Sequence, residues 1–186
     1  RESRRLQKFL DRPKLDSAEA DSLEFDVTNA CSAYIGPKWS SPSATYAIGT
    51  SLPAAWSASV QAAAQAWTQG GSRFAFVLDS KSPHAINLAD LGAGSTLAST
   101  RVEYMQSSNT LVRFTMTFNN RYTWTTTGAA GQFDVQGITT HELGHALGLN
   151  HPGTAQCAEE TMWSTASSGE TKKRSLEGGD KNGILT

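Results

Sequence analysis

The stretch HELGHALGLNH, residues 141–151, holds three of the chain's four histidines. They lie at successive offsets of four and six residues, and Glu142 directly follows the first of them. Residues four apart on a helix differ by about 40° in azimuth and about 6 Å along the axis, so His141 and His145 share one helix face. Glu142 lies about 100° further round. Its carboxylate can therefore miss a metal held by the two imidazoles and still reach a water bound to that metal.

Gly148 ends the predicted helix, because glycine readily adopts the left-handed conformation that reverses the chain. This reversal lets His151 return to the first two histidines from outside the helix. Three neutral imidazoles leave a fourth position of a tetrahedral Zn²⁺ open to water, which is typical of a catalytic zinc site. Two other interpretations are open: a helix with surface histidines that bind no metal, and a structural zinc site with Cys157 as fourth ligand.

Composition and charge exclude several classes of protein. The 186 residues suit one domain, and 16 basic against 17 acidic side chains give no global field that would attract nucleic acid or an anionic membrane. No stretch approaches the roughly 18 apolar residues needed to span a bilayer. The Ser-, Thr- and Ala-rich composition favours an exported protein, and the start at Arg1 indicates that an upstream segment is removed. Cys31 and Cys157 fit one disulfide outside the cell or two free thiols inside it.

The remaining pattern predicts an α+β (mixed α/β) domain over residues 31–186. Strands are predicted at residues 44–48, 73–78, 84–88, 96–104 and 111–118. Helices are predicted within residues 52–71, from Asp134 as N-cap to Leu147, and from about Ser175 onward. Residues 1–30 are typical of an N-terminal arm or propeptide remnant, with short helices at 3–10 and 18–23. The basic run at residues 172–174 is expected to be solvated surface.

The chain resembles the metzincin metallopeptidases, whose extended zinc signature HExxHxxGxxH fits HELGHALGLNH at every defined position. Those enzymes also carry a methionine in a tight turn beneath the metal. Met162, in ETMWST, stands at that place. Within the clan the order of elements over about residues 40–186 looks most like the matrixin catalytic domain. That likeness is carried by YAIGTSLPAAWSASVQAAAQAWTQ, FNNRYTW and LEGGDKNGI.

This resemblance implies a twisted five-stranded mixed sheet with a backing helix, an active-site helix and a C-terminal helix. It implies a secreted zinc endopeptidase with one catalytic Zn²⁺ on His141, His145 and His151, and with Glu142 as general base. The edge strand within residues 96–104 would bind a protein or peptide substrate as an added strand. The chain is expected to be a monomer without nucleic-acid or membrane partners.

Two departures from the family pattern limit the expected metal sites. Ser164 stands where related branches carry a zinc-binding tyrosine, so no tyrosine ligand is expected. Only His84 lies outside the motif, so the second, structural zinc site of animal matrixins is expected to be absent. Ca²⁺ is a further candidate cofactor, because its oxygen ligands leave little spacing pattern.

The inhibitory cysteine of matrixin propeptides lies in PRCGxPD, which NACSAY around Cys31 does not match. A disulfide between Cys31 and Cys157 is therefore favoured over a Cys31 thiolate that blocks the zinc of a zymogen. If residues 1–30 are a propeptide, Asp26 or Glu24 could cap the zinc instead.

Two alternatives from other functional classes are open. One is a catalytically inactive zinc-binding module on the same scaffold, and the other is a hydrolase that cleaves amides other than peptides. The intact Glu142 favours catalysis, because a carboxylate at that position serves proton transfer rather than metal ligation.

Overall fold

A mixed β-sheet with three helices forms the body of the protein, seen in a computed structural model that describes residues 6–9, 31–71 and 73–185. The strands are β1 Leu6–Phe9, β2 Ala33–Tyr34, β3 Ser43–Ile48, β4 Ala75–Leu78, β5 Ala85–Ala89, β6 Ala98–Met105, β7 Thr110–Asn119, β8 Trp124–Thr125, β9 Phe133–Asp134 and β10 Leu149–Asn150. The helices are α1 Ser57–Gln69, α2 Val135–Ala146 and α3 Gly178–Leu185.

Strands β3 to β7 form the five-stranded mixed sheet that was expected, in the order β4-β3-β5-β7-β6. The pairings β4–β3, β3–β5 and β5–β7 are parallel, and β7–β6 is antiparallel. A sixth strand, β1, lies antiparallel to β6 on its outer edge, with Leu6 opposite Met105 and Phe9 opposite Val102. The short pairs β2–β10 and β8–β9 form two separate two-stranded sheets.

The core lies between the sheet and the helices. Alternate residues of β7, Phe114, Met116 and Phe118, are fully buried, as the two-residue period of a strand requires. The apolar stripe of α1 is likewise buried, at Val60, Ala63, Ala64 and Trp67. Trp67 joins α1 to α2, because its indole N–H donates to the carbonyl of Thr140 at 2.7 Å. Replacing such a buried tryptophan by alanine typically costs about 3–5 kcal/mol.

The two ends of the chain differ from the sequence prediction. The helix predicted at residues 3–10 is wrong, because strand β1 occupies residues 6–9. Pairing with an open sheet edge satisfies its backbone groups, whereas an isolated helix of about eight residues is marginal. The helix predicted at 18–23 lies outside the described residues. The last helix begins at Gly178 rather than near Ser175, and residues 172–174 form a 3-10 turn before it.

A disulfide joins Cys31 to Cys157, which is the pairing that the sequence favoured. It links the segment before β2 to the 3-10 turn Ala155–Cys157 across 126 residues of sequence. A Cβ on Gly179 would overlap Cys31, so the start of α3 packs closely against this cross-link. None of the described helices has the length and apolarity that a bilayer span requires.

Candidate metal centre and cleft

Helix α2 carries the HExxH residues, and its sequence fixes both of its ends. Asp134 is the predicted N-cap: its backbone is extended, and its carboxylate accepts from the amide of Gly137 at 2.7 Å. Gly148 has φ of 96°, the left-handed conformation that was predicted for it. A Cβ there would lie 2.6 Å from the carbonyl oxygen of Pro37, so only glycine fits this reversal.

The reversal brings His151 to the two helical histidines. The Nε2 atoms of His141 and His145 lie 3.2 Å apart, and each lies 3.1 Å from Nε2 of His151. Nitrogens bound at 2.0–2.1 Å to one tetrahedral ion are about 3.3–3.4 Å apart, so this triangle fits a single zinc ion. Within the described part of the chain, these histidines form the one group of three or more metal-ligating side chains. Ca²⁺ therefore has no support from the described carboxylates.

Backbone carbonyls orient two of these imidazoles. His141 Nδ1 lies 2.7 Å from the carbonyl oxygen of Thr161, and His145 Nδ1 lies 2.9 Å from that of Leu149. Because a carbonyl oxygen only accepts, both Nδ1 atoms must carry the proton. The two Nε2 lone pairs are then available to a metal, as in the outer-shell arrangement usual for metal-bound histidines.

Two of the three histidines, His141 and His151, line an open cleft of about 400 Å³. Glu142, 3% exposed, lines this cleft together with His141 and His151. One wall includes residues 95–98, which lead into β6, and another includes residues 163–166. The Glu142 carboxylate therefore shares one cavity with His141 and His151. Ser164, which stands where related branches carry a zinc-binding tyrosine, lies in the second wall.

Met162 lies in a turn packed directly against α2. Its side chain is buried, and a Cβ on Gly144 would overlap its sulfur. Two buried charged side chains form hydrogen bonds with the backbone of this turn. The carboxylate of Asp180 accepts from the amides of Thr161 and Met162 at 2.7 and 3.0 Å. No sequence pattern predicts this role of Asp180, because only the path of the chain after Met162 brings α3 to the turn.

Lys173 is the second of these charged side chains, and it corrects a prediction. It belongs to the basic run expected to be solvated, yet it is only 3% exposed. Its ammonium donates to the carbonyls of Thr161 and Trp163 at 2.7 and 2.5 Å. Burial lowers the pKa of the Lys173 ammonium to about 8, opposed by the negative charges of Glu170 and Asp180. The charge pattern of the sequence does not predict this burial, because it depends on where the chain after Met162 places the 3-10 turn of residues 172–174.

The other predicted residues lie in different settings. His84 is a core histidine, which stacks on Phe114 with ring centroids 5.0 Å apart and donates from Nδ1 to the carbonyl of Thr45 at 2.8 Å. It therefore takes no part in the histidine cluster. The candidate capping residues Glu24 and Asp26 lie outside the described residues.

Three converging imidazole nitrogens, with a buried carboxylate in the cleft that two of these histidines line, fit the class of hydrolases that use one metal ion. A family model described as matrixin matches residues 38–186, which is most of the chain and includes the whole cleft. The chain belongs to the matrixin family of zinc metallopeptidases. A search of curated proteins gave no significant match.

Proposed function

We propose that this protein is a secreted zinc endopeptidase that hydrolyses peptide bonds within proteins. The convergence of three imidazole nitrogens 3.1–3.2 Å apart carries this proposal, together with the cleft that His141 and His151 share with Glu142. The matrixin family match supports peptides as the substrate class. A cleft of about 400 Å³ that is open to solvent suits a segment of an extended chain.

His141, His145 and His151 would hold the metal, and Glu142 would move the proton. A zinc ion at this position supplies Lewis-acid activation of water and of the scissile carbonyl. Glu142 takes a proton from the attacking water, holds it on its carboxylate, and delivers it to the amine nitrogen that leaves. Its burial limits competing solvent, and the hydrogen bonds of His141 and His145 to backbone carbonyls keep the imidazoles in place.

The outer edge of β6 is the proposed docking site for the substrate backbone. Strand β1 pairs with this edge from Val102 to Met105, and this pairing supports the idea that the edge can accept an added antiparallel strand. Residues 95–98, at the other end of β6, line the cleft. A peptide that pairs along β6 would thus pass over the metal-ligating side chains as an added strand.

The proposed secretion rests on the disulfide and on composition. Disulfides form and persist in oxidising compartments outside the cytosol, and Cys31 and Cys157 are paired here. The Ser-, Thr- and Ala-rich composition agrees with export. We propose that the enzyme acts as a monomer.

The proposed mechanism is tested by the Glu142→Ala variant. We expect about one zinc per chain in both wild type and variant, because the carboxylate does not ligate the metal. Cleavage of denatured casein should fall by a factor of about 10²–10⁴ or more, because the proton-transfer group is lost. Zinc is measured by atomic absorption and cleavage by release of soluble peptides.

Glu159→Ala is the matched control, because that glutamate side chain is 79% exposed. It should keep both zinc and activity. A Glu142→Ala protein that cleaves casein at the wild-type rate would contradict the general-base role while leaving the metal site intact.

A further inference from the structure

Lys173 places a positive charge in the wall of the catalytic cleft. Apart from the histidines, it is the one cationic side chain among the described residues that line this cleft. Lys173 lines the same cleft as Glu142 and the metal-ligating residues His141 and His151, so the cation shares a cavity with the reacting groups. The neighbouring residues of this wall are aromatic, small or polar and carry no charge: Trp163, Ser164, Thr165 and Ala166.

The hydrogen bonds of Lys173 leave part of its ammonium uncommitted. A lysine ammonium has three N–H donors. Two of them are taken by the carbonyl oxygens of Thr161 and Trp163. The third has no partner among the described residues. These two fixed bonds also immobilise the ammonium, so an approaching group meets a preorganised donor rather than a flexible chain.

We propose that Lys173 determines substrate specificity by binding an acidic side chain next to the scissile bond. This inference rests on the proposed peptidase function. A glutamate or aspartate carboxylate that enters the wall between α2 and residues 163–166 would accept the third N–H in a charge-assisted hydrogen bond. A lysine or arginine at the same substrate position would instead meet a like charge in a partly desolvated site.

The test compares cleavage of matched peptides by the full-length enzyme. A peptide cut at a single bond is first taken from a casein digest. It is then made with Glu, Gln, Leu or Lys on either side of that bond. At one of the two positions the wild type should prefer Glu to Lys by about ten- to a hundredfold in kcat/KM, which is the effect of one hydrogen bond to a charged group.

The Lys173→Met variant should abolish this preference, and Lys172→Met is its matched control. Lys172 is the adjacent lysine of equal charge, but its ammonium contacts Ala158 and Glu159 instead of the cleft wall. The control should therefore keep the wild-type preference. If Lys173 only supports the turn around Met162, its variant will slow all four peptides equally and leave the Glu-to-Lys ratio unchanged, which would overturn the proposal.

A measurement on the wild type alone decides the matter if Lys173→Met does not fold. The Glu-to-Gln ratio of kcat/KM should fall between about pH 7 and pH 9.5, because the Lys173 ammonium, with a pKa of about 8, loses its proton in that range. Its charged neighbours Glu142, Glu170, Asp180 and Lys172 are common to both peptides, so the ratio cancels their effect on the overall rate. Equal cleavage of the Glu and Lys peptides by the wild type refutes the role of Lys173, whereas no cleavage of casein at all refutes the proposed function itself.

Discussion

Gly148 has φ of 96°, and a Cβ built on it would lie 2.6 Å from the carbonyl oxygen of Pro37. A side chain at position 148 would therefore be destabilising for two separate reasons: the strain of a left-handed backbone and steric overlap with Pro37. The sequence predicted the first, because a glycine after HExxH must end the helix for His151 to return. The second depends on the position of Pro37, far earlier in the chain, and no local pattern contains it. The burial of Lys173 could not be predicted from local sequence either, because it depends on the path of the chain after Met162.

The Gly148→Ala variant should lose about 2–5 kcal/mol of unfolding free energy, measured by urea denaturation, because it combines strain with overlap. Gly71→Ala separates the two costs. Gly71 has φ of 95°, but apart from its chain neighbours no atom of the described residues lies within 4 Å of the position that a Cβ would take. It should lose only about 1–2 kcal/mol. Equal losses in the two variants would show that the contact with Pro37 has no energetic weight. Gly148→Ala should also weaken zinc binding, because His151 follows the reversal.

Among the helices and strands, periodicity predicted α1, α2 and the five strands of the main sheet, with ends shifted by a few residues. The arrangement of those strands in one mixed sheet came from resemblance to matrixins, because periodicity does not say which strands pair. Strand β1 was not predicted, because its conformation depends on pairing with the open edge of β6 and not on its own sequence pattern. A long-range contact stabilises the start of α2: Arg174 donates to both carboxylate oxygens of Asp134, at 2.6 and 3.0 Å. Residue spacing in the sequence could not predict this contact.

The Asp134→Ala variant should lose about 2–3 kcal/mol of unfolding free energy, because it removes the α2 cap and leaves Arg174 without its carboxylate partner. The Asp134 side chain is 2% exposed, so solvent screens the pair weakly on that side. Asp90→Ala is the matched control, because Asp90 pairs with Arg121 in a similar two-pronged contact at a half-exposed site. It should cost clearly less, as exposed ion pairs do. Similar losses of unfolding free energy in both variants, measured by urea denaturation, would contradict a special role for the Asp134 contact.

At the scale of the whole molecule, the disulfide links two distant parts of the chain, and strand β1 covers the outer edge of β6. The disulfide between Cys31 and Cys157 spans a sequence separation of 126 residues, and disulfides typically add about 2–4 kcal/mol of stability. Upstream of it, β1 occupies the edge of β6 that a substrate strand would use. β1 and a substrate would therefore compete for the same backbone groups. The sequence raised the question of an inhibitory N-terminal segment, and the pairing of β1 supplies a physical route for that inhibition.

The most direct test of the proposed function is casein cleavage by the zinc-loaded protein, measured on the full chain and on a chain that begins at Cys31. We predict one zinc per chain in both forms, cleavage that a chelator abolishes and zinc restores, and a higher rate for the shorter form, because the edge of β6 is then open. One zinc per chain with no cleavage by either form would contradict the peptidase function and favour an inactive zinc-binding module on the matrixin scaffold.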